Sequence, residues 1–296
     1  MNTAALRHLA RIFLTVLVVG QINFGAEYRR KVSPDCVPNE AAWLSFTPKG
    51  EEFTAMIPGP PTLLNEFAPF AYKKDGETVL QHRAYSGYGD GLIFIIASYK
   101  ARQAQKIQDA VVANETSGAT FERELTLNGL SVRQYRRFQS KFHSSVICFV
   151  TKEHVYSLTL TTLEESNPAV EKFLASFRIR TAQDKESSEN LTPQADLNPQ
   201  DVFTAREVTR KAVIVWKPIP NYTERARTDR LTGTIVVEAV FAANGYVTNI
   251  KVLKEMKDGM TEKAIEYTRS VRFFPAEKDG KPASERLMLE YNFNLY

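Results

Sequence analysis

Cysteine, histidine and tryptophan are scarce in this chain: two, four and two residues among 296. The four histidines, His8, His82, His143 and His154, lie far from one another and from the cysteines, so no zinc or haem spacing is present and no metal or cofactor is expected. Glycine and proline, at 14 each, leave no room for a long low-complexity stalk or a collagen-like repeat. An excess of one charge is missing too. With 38 basic and 34 acidic residues spread evenly, the net charge is +4 and no basic face stands out, which argues against a nucleic-acid partner. What remains, 43% hydrophobic and 24% charged side chains, is ordinary globular composition, and the length suggests two domains.

The N-terminus has the order of an export signal: Arg7, His8 and Arg11 precede an apolar run from Ile12 to Val19. Gln21 and Asn23 interrupt that run. Even stretched to Ala26 it gives about 22 Å of helix against about 30 Å of hydrocarbon. Residues 1–26 are therefore expected to be a cleaved signal peptide, with retention as a signal anchor as the alternative. A small residue, Gly25 or Ala26, precedes the cut, although Asn23 or Phe24 three places from it suits a peptidase poorly. The expected location is the periplasm or cell envelope, or an inner-membrane anchor with a periplasmic body, in which case the N-terminus associates with the membrane. An even cysteine count in an exported chain permits one disulfide, Cys36 to Cys148; otherwise Cys148, inside an apolar run, is a small buried hydrophobe.

The expected fold class is α+β with two domains. Residues 27–180 form an exported mixed α/β antiparallel-sheet domain of unknown role, 181–200 a polar linker without a large apolar side chain beyond Leu191 and Leu197, and 201–296 a second domain. Strands are predicted at Phe53–Ile57, Val79–Tyr85, Leu92–Tyr99, Phe121–Leu127, Leu130–Phe138, Val146–Thr151 and Val155–Thr161. Helices are predicted at Ala104–Asn114 and Pro168–Phe177, the second capped by Asn167. Asn128-Gly129 suits a two-residue hairpin turn, and Gly87 to Gly91 reads as a hairpin loop. The opening Phe46-Thr47-Pro48, Phe53 and Met56-Ile57-Pro58-Gly59-Pro60 resembles the start of small PsbP-like domains of bacterial exported proteins, and transfers no functional residue.

In the second domain, Gly233–Phe241 and Tyr246–Leu253 form a hairpin about Asn244-Gly245. Thr261–Arg272 has helical composition, and Glu285–Tyr296 alternates. Leu287, Leu289, Tyr291, Phe293 and Leu295 fall on one side, and Arg286, Met288, Glu290, Asn292 and Asn294 on the other. The string Pro220-Asn221-Tyr222, Ala226-Arg227, Gly233-Thr234-Ile235-Val236, Asn244-Gly245, Ala264-Ile265, Arg272-Phe273-Phe274-Pro275-Ala276 and Asp279-Gly280-Lys281-Pro282 resembles the TonB C-terminal domain, over roughly a quarter of the chain.

That resemblance implies a β-β-α-β unit with its last strand at a sheet edge, where a receptor's TonB-box peptide adds a strand. The outward residues Arg286, Met288, Glu290, Asn292 and Asn294 would line the added peptide. About five backbone hydrogen bonds at roughly 0.5–1.5 kcal/mol each stand against an ordering cost of about 2–5 kcal/mol, so side chains must supply the rest. Energy-transducing TonB also has a membrane helix carrying a Ser and a His, and a long Pro-rich spacer. Here His8 precedes the apolar run, and the linker reaches at most about 70 Å. The expectation is therefore a non-enzymatic envelope protein binding an extended peptide of an outer-membrane receptor or another envelope protein, with a homodimer as a variant. A TonB-type transducer for outer-membrane transport is the alternative.

Catalytic signals are weak. Gly87-Tyr88-Gly89-Asp90-Gly91 is not followed by the Lys-Ser or Lys-Thr of a phosphate loop, and Ser86 is not in a nucleophile elbow. Glu122 and Glu124 share a strand face, as solvated carboxylates commonly do, and Arg133, Arg136 and Arg137 with Tyr135 and Phe138 read as a solvated strand. Trp216 with Pro218 and Pro220 is read as packing rather than as a peptide groove.

Overall fold

Short β-branched and aromatic runs broken by two-residue turns give hairpins, and hairpins dominate this computed structural model. It describes residues 43–63, 73–74, 77–139, 141–186 and 201–294. The signal segment, Cys36, Leu295 and residues 187–200 of the expected linker lie outside them. The chain divides into Met1–Pro38 and Asn39–Tyr296, and every described residue belongs to the second unit.

In chain order, the first half runs β1 (Trp43–Phe46), β2 (Phe53–Pro58), β3 (Thr62–Leu63), β4 (Lys73–Lys74), β5 (Glu77–Thr78), β6 (Gln81–Gly89), β7 (Leu92–Lys100), α1 (Ala104–Glu115), β8 (Thr120–Leu127), β9 (Leu130–Gln139), β10 (Phe142–Val150), β11 (His154–Thr162), α2 (Pro168–Ser176) and β12 (Arg178–Ile179). A seven-stranded sheet takes the order β3-β6-β7-β11-β10-β9-β8, and β1-β2-β12 make a small second sheet. Both faces of the large sheet are covered. On one, Phe94, Phe149 and Tyr156 meet Phe53 and Ile57 of β2 and Phe173 and Phe177 at α2. On the other, Ile107 and Val111 of α1 meet Tyr99 and Val155.

Local chemistry sets the boundaries. Asn128 and Gly129 both have positive φ, 48° and 86°, as the predicted turn between β8 and β9 requires. Asn167 caps α2, its Oδ1 accepting from the Ala169 amide at 2.8 Å. Gly87 to Gly91 is not a loop. Gly87, Tyr88 and Gly89 belong to β6, paired with Phe94, Ile93 and Leu92, and only Asp90 and Gly91 turn. A Cβ on Gly87 would fall 2.7 Å from the Phe94 ring, so that glycine permits close packing rather than mobility.

The second half runs β13 (Val202–Phe203), β14 (Val213–Trp216), α3 (Glu224–Thr228), β15 (Gly233–Phe241), β16 (Val247–Lys254), α4 (Met260–Arg269), β17 (Arg272–Phe274), β18 (Ala276–Lys278) and β19 (Lys281–Phe293). A five-stranded sheet has the order β13-β19-β15-β16, with β18 paired to β19. Its core joins Ile235, Val237, Phe241, Leu289, Tyr291 and Phe293 to Met260 and Ala264 of α4. The fold is mixed α+β, as expected.

The predicted helix Thr261–Arg272 is shortened at its end. Amides of Ser270 and Val271 bond back three residues, to Tyr267 and Thr268 at 3.1 and 3.2 Å, tightening the last turn and closing the helix at Arg269. Arg272 instead opens β17, which pairs with β14. The final strand likewise starts at Lys281 rather than Glu285, because Asp279-Gly280 makes a two-residue turn that pairs Lys278 directly with Lys281.

Candidate functional site

A peptide can add only where a strand still has unpaired main-chain groups, so the flanks of β19 decide what this half can do. On its inner flank β19 pairs with β15 from Glu285–Phe241 to Phe293–Gly233 without a break in register. Its outer flank is not open throughout, contrary to the simple edge expected. Val202 and Phe203 of β13 run parallel to Ser284 and Glu285 on the side away from β15, and ahead of that stretch β18 pairs with Lys281 to Ala283. A buried carboxylate reinforces this strap: Glu285 is fully buried, and its Oε2 accepts from the Ala212 amide at 2.7 Å. From Arg286 to Phe293, no described strand pairs with the outer flank.

Among the described residues, Lys217 reaches that stretch. Lys217 Nζ donates to the Glu290 carbonyl at 2.9 Å and lies 5.1 Å from the centre of the Tyr291 ring. A lysine against a strand edge is a common guard against unwanted pairing, since its charge must be moved before a backbone can approach.

The alternation read from the sequence is present. Leu289, Tyr291 and Phe293 point into the core, while Arg286, Met288, Glu290, Asn292 and Asn294 are exposed. Two of the exposed set are tied across to β15. Arg286 Nη1 donates to Glu238 at 3.0 Å, and Asn292 Oδ1 accepts from the Thr234 hydroxyl at 2.7 Å. Met288, 68% exposed, is an apolar group on this face. Beneath the strand, Tyr291 and Thr268 share a hydrogen bond at 3.0 Å, and Phe293 meets Tyr222 edge to face. The strand is thus rigidly backed and half strapped.

A second feature is the seam between the two sheets. Phe274 packs with Ile93 and Phe142, and Tyr88, Leu163, Val213 and Val215 close around them. Tyr246 donates its hydroxyl to the Pro60 carbonyl, and Arg272 Nε donates to Ser86 Oγ at 2.7 Å. Gly245 sits against Tyr88 so closely that a Cβ would lie 2.6 Å from the tyrosine Cβ, and its φ of +84° also disfavours a side chain.

Other singled-out residues take structural places. Glu122 pairs with Arg136 at 2.7 Å and Glu124 with Arg133 at 3.2 Å. Arg137 donates to the Glu115 and Ser117 carbonyls at the C-terminal end of α1. Trp216 is half-buried in β14 beside buried Pro218 and Pro220. Cys148 is a buried free thiol whose pKa burial pushes up to about 12; Cys36 lies outside the described residues. No cluster of metal-ligating side chains occurs among the described residues.

One cluster of titratable groups in the first half surrounds Glu51 and Glu52. Glu51 is buried and accepts from Ser98 at 2.6 Å, Tyr156 at 3.1 Å and Tyr85 at 3.2 Å. Burial first, and then the Glu51 charge, raise the pKa of both tyrosines. Glu52 bonds to His154 Nδ1 at 2.9 Å, and that bond holds its carboxyl below the ordinary range. These groups satisfy one another and brace the two sheets of the first half.

Sequence reasoning missed Lys217, β13 and the Arg272–Ser86 contact. Two-residue strands and cross-sheet contacts leave no periodic trace, so no local signal marks them.

This half is thus a sheet whose core face is covered by α4 and by Ala226 of α3, with a last strand that no described strand pairs on its outer flank from Arg286 to Phe293. Residues 218–295 match the family described as Gram-negative bacterial TonB protein C-terminal. Among solved structures, the C-terminal domain of Pseudomonas aeruginosa TonB is similar at 18% identity, covering 29% of this chain and 90% of that one, with a TM-score of 0.24. A Bacteroides thetaiotaomicron protein is similar at 15% identity over 47% of this chain and 49% of its own, with a TM-score of 0.30. No curated protein matches the chain.

Proposed function

We propose that this chain is a non-enzymatic cell-envelope protein that takes up an extended peptide, or a second subunit, by strand addition along Arg286 to Phe293 of β19. The observation that carries the reading is the outer flank of that stretch, which no described strand pairs. The family match over residues 218–295 supports an envelope-associated, protein-binding role. The incoming strand displaces Lys217 from the Glu290 carbonyl and contacts the side chains along the strand, Arg286, Met288, Glu290, Asn292 and Asn294. The first half, residues 27–180, serves as the body on which this module is mounted, reached through the 181–200 linker.

Isothermal titration of the full chain with TonB-box peptides tests the reading. Binding that is weakened by a proline within Arg286–Phe293 is expected; no binding together with no self-association, measured by ultracentrifugation, removes it.

A further inference from the structure

Arg272 is 5% exposed, yet no carboxylate meets it among the described residues. Its Nε donates to Ser86 Oγ at 2.7 Å and its Nη1 to the Val271 carbonyl at 3.1 Å, while Nη2 is buried without a hydrogen-bond partner among the described residues. Taking a guanidinium out of water costs several kcal/mol unless an opposite charge or full hydrogen bonding meets it. Neutralisation is no escape at physiological pH, because burial lowers this pKa only to about 10.

The crevice beside it is lined by Thr62, Ser86, Tyr88, Gly245, Tyr246 and Arg272. It has room for about one water-sized group. Among the described residues nothing acidic lines it, and Ile93 and Phe273 supply apolar wall. Because Ser86 Oγ accepts from Arg272 Nε, its own proton remains available to a second acceptor. A lone cation, a free guanidinium N–H, a hydroxyl proton and space for one small group describe a site for an acceptor of single negative charge.

We propose that the seam between the two sheets is an anion site, in which a chloride ion sits between Arg272 Nη2 and the Ser86 hydroxyl. Its charge balances one guanidinium, and a weakly hydrated halide tolerates the apolar walls better than a phosphate, which the room also excludes. Ser86 belongs to β6 of the first half and Arg272 to β17 of the second, so the ion fastens the two halves together. This goes beyond strand addition and does not depend on it.

The test uses the full chain. Crystals grown in sodium bromide should show an anomalous peak within hydrogen-bonding reach of Arg272 Nη2 and Ser86 Oγ. In solution, the melting temperature should climb with chloride beyond its value in sodium gluconate of equal ionic strength, by about 3–6 °C per tenfold above the dissociation constant. Arg272→Gln should abolish that chloride-specific rise. Should it fail to fold, Ser86→Ala keeps the charge and should move the rise to higher chloride. A bromide-free crevice, identical melting in chloride and gluconate, or an unchanged chloride response in the variant that folds would overturn the proposal.

Discussion

β8 and the second part of β19 are both sheet edges, and they manage the same hazard differently. β8 closes the seven-stranded sheet with residues exposed along nearly its whole length. Its carboxylates are paired, Glu122 with Arg136 and Glu124 with Arg133, and its register with β9 shifts between Phe121 and Arg123. Charge and a bulge together make an edge that rejects a partner. β19 keeps unbroken register with β15, sets Leu289, Tyr291 and Phe293 firmly in the core, and relies on Lys217 at Glu290. One edge is guarded at several adjoining positions from Phe121 to Glu124, the other at a point a side-chain rotation can clear. The strand addition proposed above therefore falls on the second.

The largest effect that sharpens this contrast comes from the backing of each edge. Leu289→Ala removes a core side chain and should cost about 2–5 kcal/mol in urea unfolding, whereas Leu125→Ala on half-buried β8 should cost less, about 1–2 kcal/mol. Next is the seam that joins the sheets bearing the two edges. Gly245→Ala drives a Cβ against Tyr88 at positive φ and should lower stability by about 1–3 kcal/mol, seen as a reduced melting temperature.

Removing the guard should turn β19 into a more open edge. Lys217→Met is expected to raise peptide affinity by about fivefold, roughly the worth of one net hydrogen bond, in isothermal titration. Arg136→Ala, which unpairs a guard of β8, should leave that affinity unchanged. A smaller effect concerns acid. Glu52 has a lowered folded pKa, so its contribution is present above its ordinary value near 4.5 and is lost as the pH falls through the folded value. Below about pH 4.5 the wild type should lose stability faster than Glu52→Gln in melting measured against pH. Smallest of all, Arg133→Ala breaks an exposed pair and should change stability by no more than about 1 kcal/mol.

Periodicity carried much of the fold. The alternation from Leu287 to Phe293, the Asn128-Gly129 turn and the Asn167 cap are local patterns, and each appears where the sequence places it. What was hidden is non-local. Val202 and Phe203 are only two residues of strand, and nothing near them announces Ser284 and Glu285 as partners. Arg272 looked like the end of a helix because its neighbours have helical spacing; its place is set by β14 and by Ser86, 186 residues away. The candidate site was legible as a strand face, but its strap and its lysine were not.

Amide hydrogen exchange along the full chain, alone and with an extended TonB-box peptide, tests strand addition most directly. The outward amides of Arg286 to Phe293 should exchange quickly alone and slow on addition of the peptide, while those of Thr120 to Leu127 stay as they were. Protection of all the Arg286–Phe293 amides before any peptide is added, or equal slowing along β8, would contradict the account.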